Sequence, residues 1–247
     1  MPRKPRMRSS TDMYHITNRG INKNNIFNLE NDKKKFLRIL QKSCLQYPAE
    51  LYSYCIMSNH FHLLLKIPFT ELSAFIQQLS TTYAVYYNSK YNKSGHVFQW
   101  RFHSEAIQNE KYFWCCMRYI HNNPMQACLV PSPVMYKFSS MREYVKKSRF
   151  LIHPKAFRIY VQHFPNTIDF QQFHNKHDRF IYIDTPEEVY ERKKLLIEKC
   201  SKYFLAGKNL PSEDAIFWSS ELKKEFIKYA SDNLDVSKAE VGRYVKF

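Results

Sequence analysis

The sequence predicts an α+β fold: a ferredoxin-like antiparallel sheet with helices packed on it, followed by a mostly helical C-terminal region. Two observations carry this. Over the first half of the chain, short apolar and aromatic runs of strand length alternate with longer runs of helical period, in the order strand, helix, strand, strand, helix, strand, helix. After about residue 150 the strong strand runs stop, and the texture becomes polar, His-containing and helix-forming. The expected division is a first domain over 1–150 and a helical accessory region over 151–247.

The elements follow in order. Met13 to Thr17 has strand composition and runs into the turn signal Asn18-Arg19-Gly20. Asn31 or Asp32 can cap a helix whose apolar side is Phe36, Leu37, Ile39, Leu40 and Cys44. That helix ends near Tyr47-Pro48, because a residue before proline disfavours helical backbone. Leu51–Met57 and His60–Ile67 read as an antiparallel hairpin joined by Ser58-Asn59. From Glu71 to Tyr87, Leu72, Phe75, Ile76, Leu79 and Tyr83 recur at helical spacing. Asn88 to Gly95 is loop-like, Phe102 to Ile107 forms a strand, and a helix from Asn109 to His121 stops before Asn123-Pro124. Further helices are expected at 187–206, 212–231 and 237–246, and the segment from Val236 resembles the opening of a helix-turn-helix unit.

The chain has 247 residues with 38 Lys and Arg against 22 Asp and Glu, a formal charge of +16 that matches the electrostatic footprint of a nucleic-acid binder. Aromatic residues make up 16%, and rings beside cations suit base stacking and backbone neutralisation on single strands, although most of these rings belong to the core. The six Cys include no C-x-x-C pair and no zinc-finger or disulfide spacing, which reads as a reduced, cytoplasmic protein. No apolar run approaches a membrane span, and the basic N-terminus continues into polar residues instead of a signal-peptide apolar region.

His60-Phe61-His62 is the most informative tripeptide. On a strand, alternate side chains share a face, so both imidazoles project one way and Phe61 the other. Two adjacent imidazoles suit a divalent metal. The same pattern also serves as two polar residues on a solvated strand face. Against that reading, Ile56-Met57 before and Leu63-Leu64-Leu65 after place the pair in a stretch that looks buried, where polar groups need partners. Tyr119 and Asn123 stand four residues apart on a helix, which puts phenol and amide on one face. A phenol is a weak nucleophile until a metal or base activates it, and in a chain with 18 Tyr most only pack.

The segments Tyr14-His-Ile-Thr-Asn-Arg-Gly20, Met57-Ser-Asn-His-Phe-His-Leu-Leu-Leu65, Gly95-His-Val-Phe-Gln99 with Arg101, and Arg118-Tyr-Ile-His-Asn-Asn-Pro124 occur in the order and spacing of the REP-associated tyrosine transposases, relatives of the IS200/IS605 single-tyrosine transposases. The chain resembles that family over about residues 10–145. The resemblance implies a metal-dependent single-stranded DNA endonuclease and strand transferase of the histidine–hydrophobe–histidine type. It implies Mg²⁺ or Mn²⁺ on His60, His62 and Asn123, Tyr119 as the nucleophile that forms a 5′-phosphotyrosine, and hairpin DNA of REP type as partner. Arg19, Arg101 and Arg118 flank the motifs and are candidates for phosphate contact. His121 stands two residues from Tyr119 and faces elsewhere on the helix, and His174 and His177 are expected on a solvated surface. After Asn-Pro the sequence departs from the family, with Met125-Gln126-Ala127-Cys128-Leu129-Val130 where a basic and a small residue are usual. The competing readings are a non-catalytic regulator that binds hairpin nucleic acid, and a replication initiator or relaxase. Monomer and homodimer both remain open.

Overall fold

The computed structural model of the chain describes residues 6–99, 101–148, 150–176, 186–211, 216, 219–234 and 236–244. The described chain divides into two compact units, Met1–Lys176 and His177–Phe247. Composition placed the change of texture near 150; the first unit reaches further because two helices beyond that point pack back onto it.

The sheet consists of β1 (Met13–Arg19), β2 (Glu50–Ile56), β3 (His60–Lys66) and β4 (His103–Ile107), in the order β2-β3-β1-β4 with every pair antiparallel. With helices α1 (Glu30–Gln46) and α2 (Phe69–Tyr91), this is the ferredoxin-like α+β architecture that the sequence predicts. Strand alternation then sorts the side chains. Register pairs Thr17 with His62 and with His103, and His15 with Leu64 and with Glu105. One face therefore carries His15, Thr17, Arg19, His60, His62, His103 and Glu105. The other carries Tyr14, Ile16, Phe61, Leu63 and Leu65, all fully buried.

That apolar face packs against α1 and α2 through Phe27, Phe36, Phe61 and Tyr83, whose rings meet at 4.8 to 5.3 Å between centroids. Asp32 starts α1 by accepting the Leu29 N–H and is wholly buried, so its charge has to be answered. Lys90, Tyr86 and Tyr91 from the end of α2 all donate to it, which ties the two helices together.

The opposite face is covered by α3 (Glu110–Gln126). Every residue from Phe113 to Pro124 is buried, so this helix lies inside the protein instead of on its surface. The expected stop before Pro124 is overturned, since the helix runs through the proline to Gln126. Pro124 cannot donate to the carbonyl of Ile120, but packing on both sides of the helix outweighs one lost bond in the last turn. The outer side of α3 meets three helices that the periodicity reading did not resolve: α4 (Met141–Lys146), α5 (Pro154–His163) and α6 (Thr167–Asn175). Their rings, Tyr144, Phe157, Tyr160, Phe164 and Phe170, form one aromatic cluster. Glu143 fixes the return of the chain. Its Oε2 accepts the N–H groups of Phe150, Leu151 and Ile152, and its Oε1 accepts the Tyr54 hydroxyl.

A directional chain of hydrogen bonds joins α3 to α6. His174 Nδ1 lies 2.7 Å from the Phe170 carbonyl and must donate, so its Nε2 accepts from His121 Nδ1 at 2.8 Å. His121 Nε2 is then an acceptor, 2.7 Å from the Ser140 hydroxyl and 3.0 Å from that of Ser53. Asn122 adds a bond to the His174 carbonyl at 2.8 Å. His174 is therefore buried, which corrects the surface position expected of it; packing of α6 on α3 was invisible to local pattern. His177 lies outside the described residues.

The second unit contains α7 (Pro186–Lys208), α8 (Ser220–Asn233) and α9 (Lys238–Tyr244), in the three regions where helices were expected. Residues 212–215, 217 and 218, within the expected second of these, lie outside the described residues. Its core is Ile197, Cys200, Phe204, Phe226, Ala230, Val236 and Val241. Ser237 and Glu240 cap α9 reciprocally, the Ser237 hydroxyl accepting the Glu240 N–H and the Glu240 carboxylate accepting the Ser237 N–H. No described helix is long and apolar enough to cross a membrane.

The His121–His174 pair makes stability depend on pH. Burial pushes His174 down to about 4, against the Phe170 carbonyl, which raises it, and with Arg118, which lowers it again. Burial, then the neighbouring His174, hold His121 well below its ordinary value. In the unfolded chain both titrate near pH 6.5. Between about 6.5 and 4 the unfolded chain takes up more protons, so stability falls as pH is lowered through that window. The urea midpoint of the wild type is expected to drop from pH 7 to pH 5, and that of His174→Leu to start lower and drop less. Equal drops in both would contradict the assignment.

Candidate active site

The sheet's polar face and α3 enclose a cluster of imidazoles around one phenol. His60 and His62 project from the same side of β3, with ring centroids 4.9 Å apart and planes nearly perpendicular. Both are buried. The ring of Tyr119, on the sheet side of α3, stands nearly perpendicular to those of His62 and His15, with centroids 5.5 and 5.8 Å away. His15 stacks beside His62, its Nε2 3.1 Å from His62 Nδ1. Behind it stands Glu105 on β4, with Oε2 3.8 Å from His15 Nδ1. Burial raises the Glu105 carboxyl, yet its interactions with His15, Tyr112 and His103 outweigh it and hold the group below its ordinary value.

The hairpin turn before His60 is equally determined. Asn59 donates its amide N–H to the Lys23 carbonyl at 3.1 Å and presents Oδ1 to His60 Nδ1 at 2.6 Å. The Asn59 carbonyl accepts the Gly20 N–H, and the Ser58 carbonyl accepts those of Ile26 and Phe27. Glycine is required at 20 by close approach: a Cβ there would lie 2.3 Å from the Asn24 carbonyl oxygen and 2.6 Å from the Ile26 side chain. The strand-to-loop crossing that supports Asn59 leaves no room for a side chain.

Of the residues singled out by sequence, the structure brings His60, His62 and Tyr119 into one cluster. Asn123 lies one turn beyond Tyr119 on α3 and is buried. Arg19 sits at the end of β1, cross-strand from His60. Arg101 is exposed and lines, with Arg6, a groove of about 720 Å³ between α2 and residues that include Val97, Phe98 and Phe102. Asn18 also lines this groove, and its side chain lies on the α2 side of β1, away from the histidines. Arg118 turns the other way from Tyr119. Its guanidinium lies over the Phe173 ring at 4.6 Å and donates to the Phe173 carbonyl at 3.4 Å and to Cys115 Sγ at 3.6 Å, buried against α6. Glu105 and Asn59 were not found from sequence. The spacing His103-Ser104-Glu105 held the signal for the first, since period two on a strand sets both side chains on the His62 face.

The donors suit a divalent cation. Two imidazoles are borderline ligands that leave coordination positions for phosphate oxygens. Among the described residues no three His, Cys, Asp or Glu side chains converge as a metal site, so further ligands would come from Asn123 or a substrate.

An H-x-H pair on the polar face of a ferredoxin-like sheet, covered by a helix that carries a tyrosine, defines an α+β domain with a built polar site rather than a purely packed one. Residues 9–123 match the family described as "Transposase IS200 like", so this segment is similar to the IS200-like transposases. The fold is shared with a solved structure described as "Structure of the REP associates tyrosine transposase bound to a REP hairpin", at 19% sequence identity and a TM-score of 0.51, covering 61% of this chain and 88% of that one. No curated protein matches the chain in sequence.

The placement of Arg118 yields a test. Its ring contact and charged hydrogen bonds are inside the fold, so Arg118→Ala is expected to lower the unfolding free energy by about 2 kcal/mol in urea titrations. A variant as stable as the wild type would return Arg118 to the surface roles expected from sequence.

Proposed function

We propose that the chain is a metal-dependent transposase that cleaves and rejoins single-stranded DNA through a 5′-phosphotyrosine at Tyr119, on hairpin DNA of REP type. The observation that carries this reading is the juxtaposition of Tyr119 with the His60–His62 pair, 5.5 Å from ring to ring, inside a segment similar to the IS200-like transposases. The solved neighbour is bound to a REP hairpin, which supports a DNA hairpin as partner here.

In this reading the Tyr119 oxygen attacks a backbone phosphorus in line. An O–P bond forms to the phenolic oxygen, which gives up its proton, and the bond from phosphorus to the 3′ oxygen breaks, leaving a 3′-hydroxyl once that oxygen is protonated. Attack by a 3′-hydroxyl on the phosphotyrosine reverses the exchange and joins strands without external energy. A Mg²⁺ or Mn²⁺ ion held by His60, His62 and Asn123 would supply Lewis-acid polarisation of the phosphate and orient it. The buried setting of Tyr119 holds its ring in one orientation toward the histidines, which is what in-line attack needs.

Charge distribution supports DNA contact through the first unit. Residues 1–176 hold 25 of the 38 basic and 9 of the 22 acidic residues, so the whole excess of +16 lies there, while 177–247 has 13 of each. The second unit, for which accessory DNA binding was expected, therefore has no general attraction for phosphate, and any contact it makes with DNA is local.

The test is incubation with labelled single-stranded hairpin DNA from the flanks of the gene, with Mn²⁺ or EDTA, on a denaturing gel. A covalent adduct that needs the metal and disappears in Tyr119→Phe is expected. Tight binding without any adduct would overturn the enzyme and favour a hairpin-binding regulator. In the same assay system, Arg101→Ala is expected to weaken binding and to flatten the dependence of log affinity on log salt by about 0.7 to 0.9. An unchanged slope would remove Arg101 from the phosphate contacts.

A further inference from the structure

Resting on the reading of His60 and His62 as metal-facing, we propose that Glu105 and His15 are positioning residues that hold His62 as its Nδ1–H tautomer, and that Asn59 does the same for His60. Both imidazoles then carry their lone pair on Nε2 before any ion arrives.

The assignment follows from donor and acceptor capacities. Glu105 lies 3.8 Å from His15 Nδ1, too far for a hydrogen bond but close enough for the negative charge of its carboxylate to favour the proton of a neutral His15 on that nitrogen. His15 Nε2 is then an acceptor. The atom 3.1 Å from it, His62 Nδ1, must be the donor, which puts the His62 lone pair on Nε2. The second chain is independent of the first. The Asn59 amide nitrogen is committed to the Lys23 carbonyl, which fixes the orientation of the amide. Its oxygen, 2.6 Å from His60 Nδ1, can only accept, so His60 also carries its proton on Nδ1.

Two unrelated networks thus converge on one tautomer at both positions. An imidazole with its proton on Nε2 cannot bind a cation through that nitrogen until the proton moves. Fixing the tautomer beforehand removes that step and sets the plane of each ring, the role that outer hydrogen-bond partners play at histidine metal sites. His15 is buried and engaged with His62, and Glu105 stands behind it on the edge strand, so both act through His62.

The experiment uses the full chain, labelled with ¹⁵N-histidine and free of metal, with long-range ¹H–¹⁵N correlation at pH 8 to read each tautomer. His15, His60 and His62 are all expected as Nδ1–H; a proton on Nε2 of His62 would overturn the relay. Mn²⁺ affinity, measured by electron paramagnetic resonance, is expected to fall about 10-fold or more in His15→Leu. It is expected to return to within about 3-fold of the wild type in His15→Gln, whose amide oxygen can accept the His62 proton. Glu105→Ala, on the partly exposed edge strand, keeps the fold if His15→Leu does not, and is expected to shift the His62 tautomer and lower Mn²⁺ affinity in the same direction. Unchanged tautomer and affinity in Glu105→Ala would overturn the proposal. A wild type that shows these tautomers yet binds no Mn²⁺ would defeat the metal reading and leave the relay standing, so the two failures are distinguishable.

Discussion

The geometry of the site depends on helix α3 being held in one register between the sheet and α6. Apolar packing alone would permit small slides of such a helix, because dispersion contacts have little directional preference. Hydrogen bonds do not permit them. The chain from Ser140 through His121 and His174 to the Phe170 carbonyl has one consistent set of donors and acceptors, and Asn122 and Arg118 add two more bonds to the same helix. On one side of α3, Arg118, His121 and Asn122 thus serve to lock the helix in place. Tyr119, on the other side, is fixed as a consequence.

The two faces of the sheet divide the labour. One is an apolar and aromatic surface buried under α1 and α2. The other concentrates imidazoles and a carboxylate in a place that would be costly were they not paired with one another. Period two makes this division possible: a shift of one residue in β3 would bury His60 and His62 in the apolar layer and turn Phe61 to the site. The β1–β3 register and the Gly20 crossing both oppose such a slip.

Much of the first unit was legible in the sequence because its signals are local. The hairpin, both flanking helices and the βαββαβ order come from period and from turn residues, and the H-x-H spacing on a strand already put two imidazoles on one face. What was not legible depends on tertiary packing. The helix through Pro124, the burial of His174 and the inward turn of Arg118 all result from α6 docking on α3, which no spacing within either segment announces. Glu105 lies between these cases: its strand parity was readable, but its partner His15 is more than eighty residues away and only the β1–β4 pairing joins them.

The central claim is that the His60–His62 pair and Tyr119 form one metal-assisted site. The most direct measurement is a crystal structure of Tyr119→Phe grown with Mn²⁺ and a single-stranded hairpin oligonucleotide, with anomalous scattering recorded for the metal. The account predicts an anomalous peak bonded to Nε2 of both His60 and His62 and to a phosphate oxygen beside the ring at 119. A peak elsewhere, or well-ordered DNA with no peak between the two histidines, would contradict it.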